Sequence, residues 1–169
     1  MMRGMPIITF TPLAEDGFPL LARWLAAPHV RAWWGDPAEE LAGIADDLAS
    51  GALEQFIVRL DGRPIGYLQC YRPDDLPDHP YNDGPAGTRG VDVTIGEADA
   101  IGRGYGSAAL RQFVDALFEA GVPRAVIDPD PKNIAAIRAY EKAGFHPIDE
   151  RDTEWGRVLL MARENDRLR

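Results

Sequence analysis

A single cysteine, Cys70, excludes an internal disulfide and any metal site built from several thiolates. Long apolar runs are missing too, and nothing approaches the roughly twenty residues that a membrane-spanning helix requires. The opening "MMRGMPIITF" lacks the apolar centre of a signal peptide, which predicts a cytoplasmic protein without membrane association. Basic residues are outnumbered, 18 against 27 acidic, giving a net charge of −9. That sign argues against a nucleic-acid partner and favours a cationic one. No repeat, low-complexity tract or linker divides the chain, so residues 1–169 are expected to form a single domain.

What is present reads as an α/β pattern. "IITFTPL" predicts a strand, and Leu21, Trp24 and Leu25 at helical spacing predict a helix that Pro28 stops. A second helix is expected over Pro37–Ser50. "LEQFIVRL" and "RPIGYLQCY", joined by Asp61-Gly62, form a hairpin pattern. "RPDDLPDHPYNDGPAG" is a long loop of Pro, Asp and Gly, and "TRGVDVTIG" resumes a strand. Leu110, Phe113, Val114, Leu117 and Phe118 then recur on one helical stripe ending at Gly121. "RAVID" is a short buried strand, Asn133 caps a helix ending at Gly144, and a final hairpin follows. This order of elements predicts a mixed sheet.

The chemistry starts at "AIGRGYGS", where a glycine-spaced basic turn opens the amphipathic helix. The first N–H groups of such a helix, with little side chain in the way, are an anion site suited to phosphate. "GRGYGS" lacks the Lys-Ser/Thr pair of a P-loop and is a poor dinucleotide fingerprint. The turn alone is equally compatible with a helix start that only packs.

Together with "DPDPKNIAAIRAYEKAGF", residues 128–145, the turn resembles the GNAT superfamily of acetyl-CoA-dependent N-acetyltransferases. The resemblance runs from about Phe56 to Arg163, with one departure: Ile101 stands where many members carry Gln or Arg. It implies a mixed, mostly antiparallel sheet with two splayed central strands, flanked by helices, and acetyl-CoA as co-substrate without a metal. The coenzyme pyrophosphate is expected on the turn formed by Arg103, Gly104, Tyr105, Gly106 and Ser107. N–H groups of Val93, Thr94 and Ile95 would hold the developing oxyanion. Tyr140 would protonate the departing thiolate, and Asn133 would both cap its helix and touch the pantetheine arm. A core aromatic at Tyr140 and a plain helix cap at Asn133 are the alternatives.

An acceptor amine is mostly ammonium near neutrality, so a carboxylate that binds the cation and takes its proton is useful. Asp92 and Asp128 would lie on the splayed strands and serve this role. Asp128 in "DPDP" is also ordinary turn chemistry, whereas Asp92 between Val91 and Val93 is poorly suited to a central strand unless it has a task. "HVRAWWGD", "GRPIGYLQCY", "TRGVD" and the 128–145 segment resemble most the aminoglycoside 6'-N-acetyltransferase branch, which implies a polycationic sugar acceptor. Of Trp33 and Trp34, one is expected in the core and one at the acceptor pocket, with a slight preference for Trp34 in the pocket. A siderophore-type hydroxylysine N-acyltransferase, using His29, His79 or His146, and a non-catalytic acetyl-CoA sensor are the competing readings. Asp74, Asp75, Asp78 and Asp83 are expected to be solvated loop charges, and a homodimer is left open.

Overall fold

The structure, a computed structural model, describes residues 4–168. Seven strands form a mostly antiparallel sheet in the order β1-β2-β3-β4-β5-β7-β6. They are β1 (Ile8–Pro12), β2 (Glu54–Leu60), β3 (Arg63–Tyr71), β4 (Arg89–Ile95), β5 (Arg124–Ile127), β6 (His146–Thr153) and β7 (Gly156–Glu164). The helices are α1 (Phe18–Ala26), α2 (Pro28–Trp34), α3 (Pro37–Ser50), α4 (Tyr105–Glu119) and α5 (Ile134–Lys142). Contacts divide the chain into two compact units, one running to Gln69 and including Val93–Tyr105, the other holding Cys70–Asp92 and the chain from Gly106 onward.

In the first unit, α1 buries Leu21, Trp24 and Leu25 in a cluster with Leu13, Val30, Ile44, Ile57 and Tyr67. α1 stops before Pro28 as expected, and Pro28 also opens α2, a helix the sequence pattern did not predict. Ala27 is extended (φ −63°, ψ 135°), as a residue before proline prefers, and Pro28 then occupies the first turn of a new helix, where its missing N–H costs nothing. Gly35, at φ +99°, ends α2. The Asp36 carboxylate accepts the Glu39 N–H at 3.0 Å and caps α3. Gly96, just past β4, faces the Trp24 indole so closely that an added Cβ would fall 2.1 Å from it. Gly96→Ala is therefore expected to lower the unfolding free energy by about 1–3 kcal/mol, measured by urea denaturation, as overpacking does in a filled core.

In the second unit, α4 buries Leu110, Phe113, Val114 and Phe118, four members of the stripe seen in the sequence. The β4–β5 pairing is parallel and short, with only Arg89↔Ala125 and Gly90↔Val126 in register. β4 continues to Ile95, whereas β5 ends at Ile127. The two strands thus part after one short rung, and Asp92 and Asp128 both lie beyond it. β7 pairs antiparallel with β5 and with β6, the latter with a bulge between Pro147 and Asp149.

Candidate active site

Two glycines shape the turn before α4. Gly102 (φ +70°) and Gly104 (φ +82°) are in the left-handed region, and a Cβ on either would meet nothing within 4 Å. The backbone there is bare and open, as close approach of a phosphate requires. α4 starts at Tyr105, so its first N–H groups, including those of Gly106 and Ser107, have no partner inside the helix. The Arg103 side chain is anchored at the turn, its Nε donating to the Asp99 carbonyl at 2.8 Å. Ser107 is buried and Ile101 half-exposed.

On β4, Asp92 lies between Val91 and Val93, which are both buried. Beyond it, the Ile95 carbonyl is 2.9 Å from His29 Nε2, and this backbone contact occupies the first histidine candidate. His146, the first residue of β6, is exposed. Trp34 packs against the core cluster and meets Tyr67 edge-on with centroids 6.0 Å apart, whereas Trp33 is 47% exposed. Core and surface are thus divided between the pair, with Trp34 the one that packs inward.

Asp128, at the end of β5, is the centre of a polar and aromatic cluster within the second unit. Its Oδ2 accepts from the Tyr81 hydroxyl at 2.5 Å and from the Trp155 indole N–H at 3.1 Å. Burial pushes its carboxyl above the ordinary range, while hydrogen bonds from Tyr81, from Trp155 and with Asp92 pull it back down. The two carboxyl groups are therefore neighbours, and each acts on the titration of the pair. The Tyr140 hydroxyl is raised above its usual value, first by burial and then by the charges of Asp92 and Asp128. It is protonated throughout the working pH range. Tyr71, at the end of β3, is raised in the same way, and an added Cβ at Gly90 would fall 2.0 Å from its ring. Asn133 caps α5 by accepting the Ala136 N–H at 3.2 Å.

His79 completes the cluster, with its ring centroid 5.6 Å from Tyr71, 4.9 Å from Tyr81 and 5.8 Å from Trp155. Burial lowers its pKa, and Nδ1 accepts the Tyr81 N–H at 3.2 Å, which places the proton of the neutral ring on Nε2. The loop carrying His79 and Tyr81 is firmly held. Arg151 donates to both Asp83 oxygens at 2.9 Å and to the Pro80 carbonyl at 2.6 Å, and Asp74 accepts the Gly87 N–H at 2.7 Å. Asp74 and Asp83 are thus fasteners of the loop, while Asp75 and Asp78 are exposed.

A family model described as an acetyltransferase (GNAT) domain matches residues 14–153. The chain belongs to the GNAT acetyltransferases. It is 33% identical over 147 residues to the aminoglycoside N(6')-acetyltransferase type 1 of Klebsiella pneumoniae, a match that covers 82% of this chain and 73% of the relative. It is also 31% identical over 151 residues to a lysine N-acyltransferase of Mycobacterium tuberculosis, with 86% and 71% covered. Among solved structures, the aminoglycoside acetyltransferase AAC(6')-Ib in complex with coenzyme A and kanamycin matches with a TM-score of 0.83 at 31% identity, over 94% of this chain and 95% of that one.

Within this GNAT domain, Asp92, Asp128 and Tyr140 are electrostatically coupled in one unit. Of the residues that surround Asp128, His79 was a candidate only for the competing hydroxylysine reading, and Tyr71, Tyr81 and Trp155 were not singled out in the sequence. Two signals pointed toward them: "HPY" places aromatic side chains in a loop otherwise made of Pro, Asp and Gly, and Trp155 is a bulky apolar residue in a hairpin turn. No cluster of metal-ligating side chains occurs among the described residues, and none of the helices there is long and apolar enough to cross a membrane.

Proposed function

We propose that this GNAT domain transfers the acetyl group of acetyl-CoA to the 6'-amine of an aminoglycoside. The observation that carries the reading is the Asp92–Asp128 carboxyl pair beyond the short β4–β5 rung, coupled to the Tyr140 phenol. A paired carboxylate site suits a polycation, and the net charge of −9 draws one toward the protein.

The open turn at Gly102 and Gly104 and the N-terminus of α4 fit the pyrophosphate of the coenzyme, held by the N–H groups of Arg103 to Ser107 with the Arg103 charge beside them. Acetyl-CoA supplies an activated thioester carbonyl. Asp92 and Asp128 bind the acceptor ammonium and take its proton, which frees the nitrogen lone pair to form the C–N bond. N–H groups of Val93, Thr94 and Ile95 stabilise the negative charge that develops on the acetyl oxygen. As the C–S bond breaks, Tyr140 gives its proton to sulfur, the second proton that the nitrogen sheds on becoming an amide restores the phenol, and the first, held by the carboxylates, returns to solvent. Asn133 holds the start of α5 and would contact the pantetheine arm, and the exposed Trp33 indole is a face of the kind on which a sugar ring stacks. The protein acts in this reading as one catalytic domain in the cytoplasm.

Gly104→Val blocks the backbone approach and forces a β-branched residue into φ +82°. Acetyl-CoA at about 100 times its Kd should stabilise the wild type by about 2.7 kcal/mol, and the variant should lose most of that gain in a thermal-shift titration. The substrate is tested by assaying thiol release with a panel of amines. Turnover of aminoglycosides but not of N6-hydroxylysine supports the reading. The reverse pattern supports acylation of a lysine-like side chain, which the 31% identity to the mycobacterial enzyme and the position of His79 beside Tyr81 favour as the second reading.

A further inference from the structure

We propose that Tyr81 and Trp155 are positioning residues of the transfer site, which together take one oxygen of Asp128 and so present the other to the acceptor amine. The inference rests on the reading of Asp128 as an acceptor-binding carboxylate. Both donors converge on Oδ2, one from the loop after β3 and one from the β6–β7 turn.

Each donor is itself held in place. Tyr81 is 2% exposed and packs with Val126, Val158, Leu160 and Ala162, while Arg151 fastens the loop on either side of it at Pro80 and Asp83. Trp155 differs, since it is 54% exposed in a tight turn closed by Gly156 at φ +120°. Packing alone does not account for an indole left half in water. Its edge is fixed by the bond to Asp128 and by the perpendicular contact with Tyr81, with centroids 6.0 Å apart at 87°. A carboxylate with two donors on one oxygen cannot rotate without losing both bonds, so its second oxygen keeps one direction. The same donors favour the ionised form of a group that burial would otherwise neutralise. The other titratable groups around Asp128 are Asp92 on β4, Tyr71 on β3, His79 on the loop and Tyr140 on α5.

The sign of the effect follows directly. Removing a donor leaves burial less opposed, so Asp128 takes up its proton at a higher pH and the acid limb of the rate profile moves up. Tyr81→Phe and Trp155→Phe keep the rings and delete one donor each. In the full chain, the 13C-carboxyl titration of Asp128, assigned by its loss in Asp128→Asn, should move upward in both variants. With kanamycin as acceptor, kcat/KM should fall about tenfold at pH 6 and less than about threefold at pH 8.5, while acetyl-CoA affinity is unchanged. Trp155 lies at the surface, so its variant keeps the test valid if Tyr81→Phe unfolds. A titration and an acid limb that coincide with wild type in the folded variants would overturn the proposal and leave the two residues as packing. An upward titration in a protein that acetylates no aminoglycoside would support the clamp and remove the substrate reading instead.

Discussion

Replacing Tyr140 with phenylalanine is expected to lower kcat by about 10²–10⁴ while leaving acetyl-CoA binding unchanged, which corresponds to about 2.7–5.4 kcal/mol of lost transition-state stabilisation. The Asn133 cap starts α5, and the helix places the phenol where it senses the charges of both Asp92 and Asp128. Burial, and after it those two charges, raises its pKa, so the hydroxyl is never short of its proton. An unliganded site would make it a reluctant acid. An acceptor ammonium bound at the two carboxylates cancels much of their charge, which brings the phenol back toward the thiolate it must protonate. In the proposed mechanism, acid catalysis is thereby tied to occupancy of the acceptor site. Steady-state rates beside equilibrium acetyl-CoA binding check this directly. Wild-type turnover in Tyr140→Phe would make the residue an aromatic of the helix face and nothing more.

Asp92→Asn is expected to lower kcat/KM for an aminoglycoside by at least about tenfold, equivalent to 1.4 kcal/mol, with acetyl-CoA affinity nearly intact. The substitution preserves shape and removes the charge. Asp92 shares its environment with Asp128, so the loss has two parts: a weaker hold on the ammonium and a poorer acceptor for its proton. Raising the salt concentration should weaken the wild type's apparent aminoglycoside affinity more than the variant's, because screening acts on the charge that was removed. Equal salt dependence in the two proteins would place the recognition of the cation elsewhere.

Much of this was legible because local rules govern it. The stripe from Leu110 to Phe118, the glycine turn before it and the Asn133 cap each depend on residues within a few positions, and the structure has them where periodicity and capping put them. The helix α2 was missed because proline ends a helix interior but is also tolerated in a first turn, and the sequence around Pro28 does not say that a new helix opens there. Trp33 and Trp34 depend on the rotational phase of α2, a helix too short for its pattern to show. The Asp128 cluster was hidden for a different reason. Tyr81 reaches Asp128 from 47 positions away, and Arg151 fastens the loop to Asp83 across 68, so neither contact leaves a local trace. A loop rich in Pro, Asp and Gly reads as solvated until its distant anchor is known.

The central claim is transfer of acetyl from acetyl-CoA to the 6'-nitrogen of a polycationic sugar. The most direct measurement is the kcat/KM for thiol release with an aminoglycoside that carries a 6'-amine, set against its counterpart with a 6'-hydroxyl. The account predicts robust release with the amine, a product heavier by one acetyl group at that nitrogen, and no transfer above background with the hydroxyl. Equal rates with both compounds, or acetylation at another nitrogen, would contradict it.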